Sequence, residues 1–561
     1  MKIIENMTNG YRKIASGIAI VAFLTLMYFA LIPGGTMALS FVTAVSGDPI
    51  IGAVVKLVDY PQYNATTVGP DGAYTLNNVP YDAIAGGSTY TMRTRATGYA
   101  LNTTTVFING ASATKDIQLI PGYKYTAAGQ IYAGQWRTDF RVGNLGTQPT
   151  TLDANFLNTA GITKNESVDL IPKMASINYN WYDWVTKITG DSDGSATISS
   201  EQLIDVIASQ RSNSQGKIGF FEGSPLNAQK TQWLMPGMLY VGQWRSGFKT
   251  LNLGNTNADV SMYFYNSTGN QINVLNNITI LPKASPYYDW YTYGYLASGS
   301  SPSATDGTVF IVSNNNQPLS IQGSQASELA GRFGAWNAID LNDQHTDLFV
   351  TGQIYNGAWR SGFKVANLGL NNADVTLYFY NSIGSQINVL SNILIPPKGA
   401  PYYDWYTYGY LASGSSPSAT DGSVRVVSNN GMPLYIIESQ ASESPGFLDF
   451  YQGAEINGNT TSGLIYLKFE GGERSGFKIA NPGNSPITAT IKFYNATGGL
   501  VNTISNSNVP AKSSPYYAWN SYTTEPSGLV TVESSSRISV TASFASDIES
   551  KMGLFKGIME Q

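Results

Sequence analysis

One motif, written four times, limits what this chain can fold into. It reads GQWRTDFRVGNLG, GQWRSGFKTLNLG, GAWRSGFKVANLG and GGERSGFKIANPG; its arginines are Arg137, Arg245, Arg360 and Arg474, which lie 108, 115 and 114 residues apart. An active site is built once per chain, whereas a packing or assembly motif can be built once per module. Twenty-one residues after each arginine comes an N-x-x-G turn, at Asn158, Asn266, Asn381 and Asn495, preceded by an alternating strand such as VSMYFY or VTLYFY. A second aromatic block follows as NYNWYDW, SPYYDWYTY, APYYDWYTY and SPYYAWNSY. It places Trp184, Trp290, Trp405 and Trp519 at 45 to 47 residues past the arginine, preceded by Asp183, Asp289 and Asp404 and, in the fourth unit, by Ala518.

Units of about 110 residues with roughly seven short alternating strands, and no convincing helical period, describe β-sandwiches. The 561-residue chain is too long for a single core. Only 12% of its residues are charged, while Tyr numbers 36 and Gly 57, a composition that favours strands and turns. Units two and three share PYYDWYTYGYLASGSSPSATDG unbroken, at Pro286–Gly307 and Pro401–Gly422, which points to duplication within the chain. The expected fold class is all-β: one small sandwich, then four related Ig-like ones. The expected boundaries are 39–122, 123–235, 236–348, 349–461 and 462–561, with residues 1–38 as a signal peptide.

That signal is read from Arg12 and Lys13, the apolar run Ile14–Ile32, the breaker at Pro33 and the small-residue site Thr36-Met37-Ala38. The alternative is an uncleaved anchor, since the run is about the length a bilayer needs. With the signal cleaved, no stable membrane span remains and the mature protein is extracellular. Between Val42 and Pro121 come SGDPIIGAVVKLVD, GPDGAYTLNNVP and YTMRTRATGYA, read as a small antiparallel sandwich. These residues resemble the transthyretin-like, carboxypeptidase regulatory-like module. The resemblance implies a fold but no function.

An arginine among apolar strand residues needs a partner. The recurring aspartates suggest an Arg–Asp bridge between strands, shielded by Trp136, Trp244 and Trp359, with Glu473 as the substitute in unit four. Such a motif serves as an internal fastener, as an interface anchor between subunits, or as a carbohydrate platform. NLG and N-x-x-G are accounted for by turn chemistry. N-glycosylation sequons occur at Asn64, Asn102, Asn165, Asn266, Asn277, Asn459 and Asn495.

Catalysis finds little to work with. His345 is the only histidine and cysteine is absent, so multi-histidine and thiolate metal sites are ruled out. Every aspartate that would serve a paired-carboxylate glycosidase recurs by module. The chain is therefore expected not to be an enzyme and to need no cofactor. GDSDGSATISSE, with Asp191, Asp193 and Glu201, is a calcium candidate whose spacing departs from an EF-hand. A net charge of −5 without a basic tract excludes a nucleic-acid partner.

Secretion, tandem sandwiches, low charge and Tyr-rich strands are the expected make-up of a structural subunit of a cell envelope. Such a subunit would associate with itself through strand edges and aromatic/Arg faces. In composition and layout the chain resembles archaeal S-layer and sheath proteins, including the major sheath protein family of filamentous methanogens such as Methanothrix. That resemblance implies an amyloid-like, ordered stacking of strands between subunits. Other envelope proteins or surface glycans are further expected partners. The main rival is a monomeric adhesin or glycan-binding stalk, and a second is a noncatalytic accessory to a secreted hydrolase.

Overall fold

The computed structural model describes residues 34–560 apart from short segments between strands, the longest being 456–461. The apolar run Ile14–Ile32 and Asn459 lie outside the described residues. The described residues are mostly strand, arranged as tandem β-sandwiches in two compact units, 1–122 and 123–561.

The first unit is a sandwich of two four-stranded sheets closed over Val42, Val55, Leu57, Leu76, Met92 and Ile108. It departs from the antiparallel expectation: Gly34–Ala44 pairs in parallel with Ser112–Ala113 and with Ile117–Leu119. That first strand also contains the expected cleavage site. Cleavage after Ala38 removes the pairs Gly34 to Pro80, Gly35 to Val79 and Met37 to Leu76.

Each of the first three repeats in the second unit has nine strands rather than seven. In the second repeat one sheet runs in the order Gln271–Ile280, Ala258–Asn266, Asp306–Ser313, Gln232–Val241, with the short Ile339–Asp340 beyond. The facing sheet is built on Trp244–Asn252 and Leu319–Ser327, with Tyr287–Asp289 on one side and Phe333–Asn337 on the other. The strand Gln232–Val241 crosses between the sheets, its end pairing Tyr240 with Arg245. It straddles the expected boundary at 235, as Asp347–Asn356 straddles that at 348. Short helical features escaped the periodicity: a single π-helical turn at Tyr182–Thr186, Tyr291–Tyr295 and Tyr406–Tyr410, and three-residue helical segments at Lys187–Thr189 and Trp519–Ser521. Five residues are too short to display a helical period.

The four sandwiches close on one another. The strands Lys217–Glu222, Phe333–Asn337, Phe447–Gln452 and Lys551–Lys556 each pack against the next, and the fourth packs against the first. Cores interlock across the joints: Phe333 and Ala335 of the second repeat sit in the core of the first, Ile437 of the third in that of the second, and Ile207 of the first in that of the fourth. A string of modules becomes a pseudo-fourfold ring, so each repeat has a neighbour on both sides.

Candidate functional site: the repeat junctions and the arginine faces

Each junction is built from the N-x-x-G turn. An asparagine at its start accepts hydrogen bonds from the amides that follow, as Asn266 Oδ1 does from Thr268 N at 3.2 Å and Asn270 N at 2.9 Å. The turn then docks on the neighbouring repeat. A Cβ added to Gly161 would lie 2.1 Å from Pro282 O; for Gly269, Gly384 and Gly498 the clash is with Pro397 O at 2.5 Å, Ala511 O at 1.9 Å and Lys173 O at 2.2 Å. The last of these is the closing contact, joined by Ser176 N donating to Ala496 O at 3.2 Å. Turn chemistry therefore explains only half of this motif, because its glycine also allows close approach of two modules.

Three junctions add an ion pair that no local spacing reveals. Lys249 meets Asp193, Lys364 meets Asp306, and Lys478 meets Asp421 at 2.7 Å, each lysine reaching the aspartate of the preceding repeat. Burial pulls Lys249 below the ordinary lysine range, and Asp193 opposes that shift. The fourth junction has Ser527 and Arg141 at the corresponding positions. There Leu145 and Leu529 pack together with Met174, Leu203 and Tyr494.

A further lysine sits under each of the three ionic junctions in a left-handed conformation: Lys283, Lys398 and Lys512, with φ of 60°, 61° and 56°. Each donates to a backbone carbonyl across a turn: Lys283 to Leu253, Lys398 to Leu368 at 3.0 Å, Lys512 to Pro482. Met174, φ 54°, is their counterpart in the first repeat. Burial lowers all three lysines, Lys283 to about 8. Between that value and the unfolded value near 10.4 the unfolded chain holds a proton that the folded one has released, so stability rises with pH. Tyr288 and Tyr403, pushed up to about 12 by burial, reverse the trend above the ordinary tyrosine range. Stability is thus expected to climb from pH 8 to 10, by at most about 1.4 kcal/mol per pH unit for one lysine. Lys283→Met should flatten the rise in chemical denaturation curves; an unchanged slope would place the titration elsewhere.

Among the described residues, Arg245 and Arg360 are not bridged to the expected aspartates Asp289 and Asp404. Arg245 donates from Nη1 to Gly242 O at 2.8 Å and Trp244 O at 2.9 Å, and its guanidinium lies 4.1 Å from the centre of the Tyr240 ring. Arg360 repeats this with Gly357 O, Trp359 O and Tyr355 at 4.1 Å. Asp289 and Asp404 instead cap the π-helical turns, accepting from Thr292 N and Thr407 N at 2.7 Å. Strand pairing also corrects the alignment of the first repeat. Gly247 pairs with Asp289 and Gly362 with Asp404, whereas Asp139 pairs with Asn180. The counterparts of Asp289 and Trp290 are therefore Asn180 and Trp181, three residues before Asp183 and Trp184.

Trp181, Trp290, Trp405 and Trp519 are fully buried. Their indoles donate to the backbone of Asp191, Ala304, Ala419 and Glu525. Trp184 stacks on Phe156 at 5.5 Å, and Trp136 meets Phe333 of the next repeat at 5.0 Å. Trp244 is approached by Arg332 at 5.7 Å, Trp359 is half-buried, and the side chain of Arg474 lies outside the described residues.

Around each stacked arginine the surface is aromatic. Tyr240 packs on Tyr291 at 4.4 Å and Tyr295 at 4.6 Å; Tyr355 packs on Tyr406 and Tyr410 at the same distances. Tyr291, Tyr406, Leu296 and Leu411 remain exposed. The outer sheet edges are less inviting. Gln271–Ile280, Gln386–Ile395 and Leu500–Val509 are each broken by a bulge with a left-handed asparagine, Asn277, Asn392 and Asn506. Thr163–Ile171 lacks that asparagine but carries Lys164, Glu166 and Asp169. Both devices oppose strand addition.

The calcium candidate is spent on cations: Asp191 binds Lys164 at 3.0 Å and Asp193 binds Lys249, while Glu201 is exposed. Among the described residues no cluster of three metal-ligating side chains occurs. His345 bonds Asp343 at 2.7 Å in the connection between repeats two and three. No described helix is long and apolar enough to cross a membrane.

The sequons divide by accessibility. Asn266 is buried in its docked turn, and Asn495 caps the matching turn at the closing junction. Asn165 Nδ2 donates to Trp184 O at 2.8 Å and Asn102 Nδ2 to Gln118 O at 3.3 Å. Asn277 is exposed on its bulge and Asn64 is exposed in the first unit. In a glycosylating host, glycopeptide mass spectrometry should find Asn277 occupied and Asn266 bare; a glycan on Asn266 would mean that its turn does not dock.

No family model matches the chain, and no curated protein matches its sequence. Solved structures with local likeness include a type II cohesin–X-dockerin complex from Acetivibrio cellulolyticus, at 18% identity over 16% of this chain and 59% of that one, TM-score 0.13. This chain thus spans less than two thirds of that structure. A second is Thermotoga maritima 1070, at 14% identity over 19% of this chain and 97% of that one, TM-score 0.16. A third is the BSP domain of a biofilm associated protein, at 8% identity over 78% and 95%, TM-score 0.14. At these scores the likenesses carry no argument about this chain.

Proposed function

We propose that this protein is a structural subunit of an extracellular envelope, a sheath or S-layer, and that it assembles with copies of itself. The observation that carries the reading is the Arg–Tyr cluster, repeated on the second and third sandwiches of a closed ring. Ring closure gives a stiff block with fixed outward faces, the property a lattice unit needs. Arg and Tyr are among the residues that dominate protein interfaces. Bulged and charged edges support a contact through these side-chain faces over one through strand stacking. A closed ring also disfavours the rival stalk, which needs its modules end to end.

The test is negative-stain electron microscopy of Gly34–Gln561 at high concentration, with and without calcium, beside Arg245→Ala/Arg360→Ala and Tyr291→Ser/Tyr406→Ser. Ordered sheets or tubes that the paired substitutions abolish are expected. Single rings at every concentration would reject the reading, and arrays indifferent to both variants would move the contact to another face.

A further inference from the structure

The first repeat departs from the other three at one place on its arginine sheet, and the departures are correlated. In the later repeats a tyrosine lies across a glycine: a Cβ added to Gly247, Gly362 or Gly476 would lie 2.0, 2.1 or 2.1 Å from the hydroxyl of Tyr287, Tyr402 or Tyr516. Strand register places Asp139 where those glycines stand and Asn178 where those tyrosines stand. The residue opposite the motif arginine is Arg211, against Ala326, Ala441 and Ala545 elsewhere. An aspartate cannot share its space with the tyrosine ring, and the shorter asparagine leaves that space open. The result is a polar cleft of about 270 Å³ lined by Arg137, Asp139, Asn178, Asn180, Tyr182 and Arg211 among others.

The lining has a definite chemistry. Arg211 and Asp139 are paired at 2.7 Å, so Asp139 is held in place and keeps acceptor capacity. Arg137 lines the cleft and uses Nη1, one donor group of a guanidinium that carries five N–H bonds, to bond Trp136 O at 2.7 Å. Asn180 is tied to Asp183, donating from Nδ2 to its carboxylate at 2.7 Å, and so orders the wall. Tyr182 is 39% exposed and offers a ring face. Two cations, one lining carboxylate, amides and one aromatic face fit a hydroxylated ring that bears a single negative charge. The volume falls below the roughly 300–1,000 Å³ of pockets for drug-sized ligands, which limits the occupant to about one such ring.

We infer that this cleft is a binding site for a single uronic acid residue of an acidic saccharide. Its carboxylate pairs with Arg137, its hydroxyls meet Asp139, Asn178 and Arg211, and its ring lies against Tyr182. The site occurs once per ring, because the other repeats fill it with tyrosine.

Saturation-transfer NMR titrations of the full chain with D-glucuronate, D-galacturonate, the neutral hexoses and acetate test this. At least one uronate should bind saturably, with glucose, galactose and acetate each weaker by about tenfold, the scale of one charge-assisted bond. Arg137→Ala should lose about the same factor. The triple variant Asp139→Gly/Asn178→Tyr/Arg211→Ala installs the residue set with which the other three repeats already fold; it should melt normally and bind nothing. No saturable uronate binding, equal binding of neutral sugar or acetate, or binding retained by a folded triple variant would each overturn the assignment.

Discussion

Replacing Gly307 with alanine should disrupt the second sandwich although it adds one methyl group. The ideal Cβ would sit 2.1 Å from Tyr265 O and 2.5 Å from the Trp290 ring. Neither neighbour can retreat. Tyr265 belongs to the strand paired with Asp306–Ser313, and the Trp290 indole is fully buried and anchored to Ala304 O at 3.0 Å. Overpacking of this kind costs about 3 kcal/mol. Gly299→Ala is the matched control: its Cβ meets nothing within 4 Å, leaving only the penalty of φ at +71°. Urea unfolding should show a large loss for the first variant and about 1 kcal/mol for the second. Equal losses would show that the Trp–Gly contact is not what fixes this glycine.

The same contact marks where the sequence is legible. Four buried tryptophans over four glycines come from two recurring words, the aromatic block and the Gly-led strand, so the repeat count and the sandwich class could be read without coordinates. The alignment inside the first repeat could not. NYNWYDW contains two tryptophans, and a match on Asp-Trp selects Asp183 and Trp184, whereas the buried ring is Trp181. Side-chain roles went astray for a related reason. The motif arginine stacks on a tyrosine one strand away and donates to two carbonyls, while the expected aspartate caps the π-helical turn instead. The lysine of GFK and the aspartate of the DG turn both recur in the sequence, yet they pair across module borders, where the separation reaches 56 to 58 residues. Ring closure was the least accessible feature, since Leu145 and Leu529 lie at opposite ends of the second unit.

That closing junction is where the ring should open first. The other three combine a docked turn with a Lys–Asp pair, each joining repeats that the chain already connects. The fourth joins the first and last repeats, which no short connection holds together; it has the Leu145–Leu529 cluster, the turn at Gly498, Ile207 in the fourth core and the packing of Lys217–Glu222 on Lys551–Lys556, with Arg141 and Ser527 in place of the Lys–Asp pair. Leu529 is fully buried, and its methyl groups lie 3.3 and 3.7 Å from the Cβ position of Gly143. Leu529→Asp places a carboxylate in that cluster, at a cost of several kcal/mol for a buried charge without a built partner. Opening the ring offers the carboxylate water while the four sandwiches keep their own cores. Small-angle scattering should therefore report a larger radius of gyration for the second unit, with far-ultraviolet circular dichroism unchanged and new proteolysis between repeats. Ile491→Asp, in the same sheet and in the core of the fourth repeat but outside the closing cluster, separates a junction effect from damage to that sandwich. If Leu529→Asp left scattering unchanged in a folded protein, the leucine cluster would not be what closes the ring.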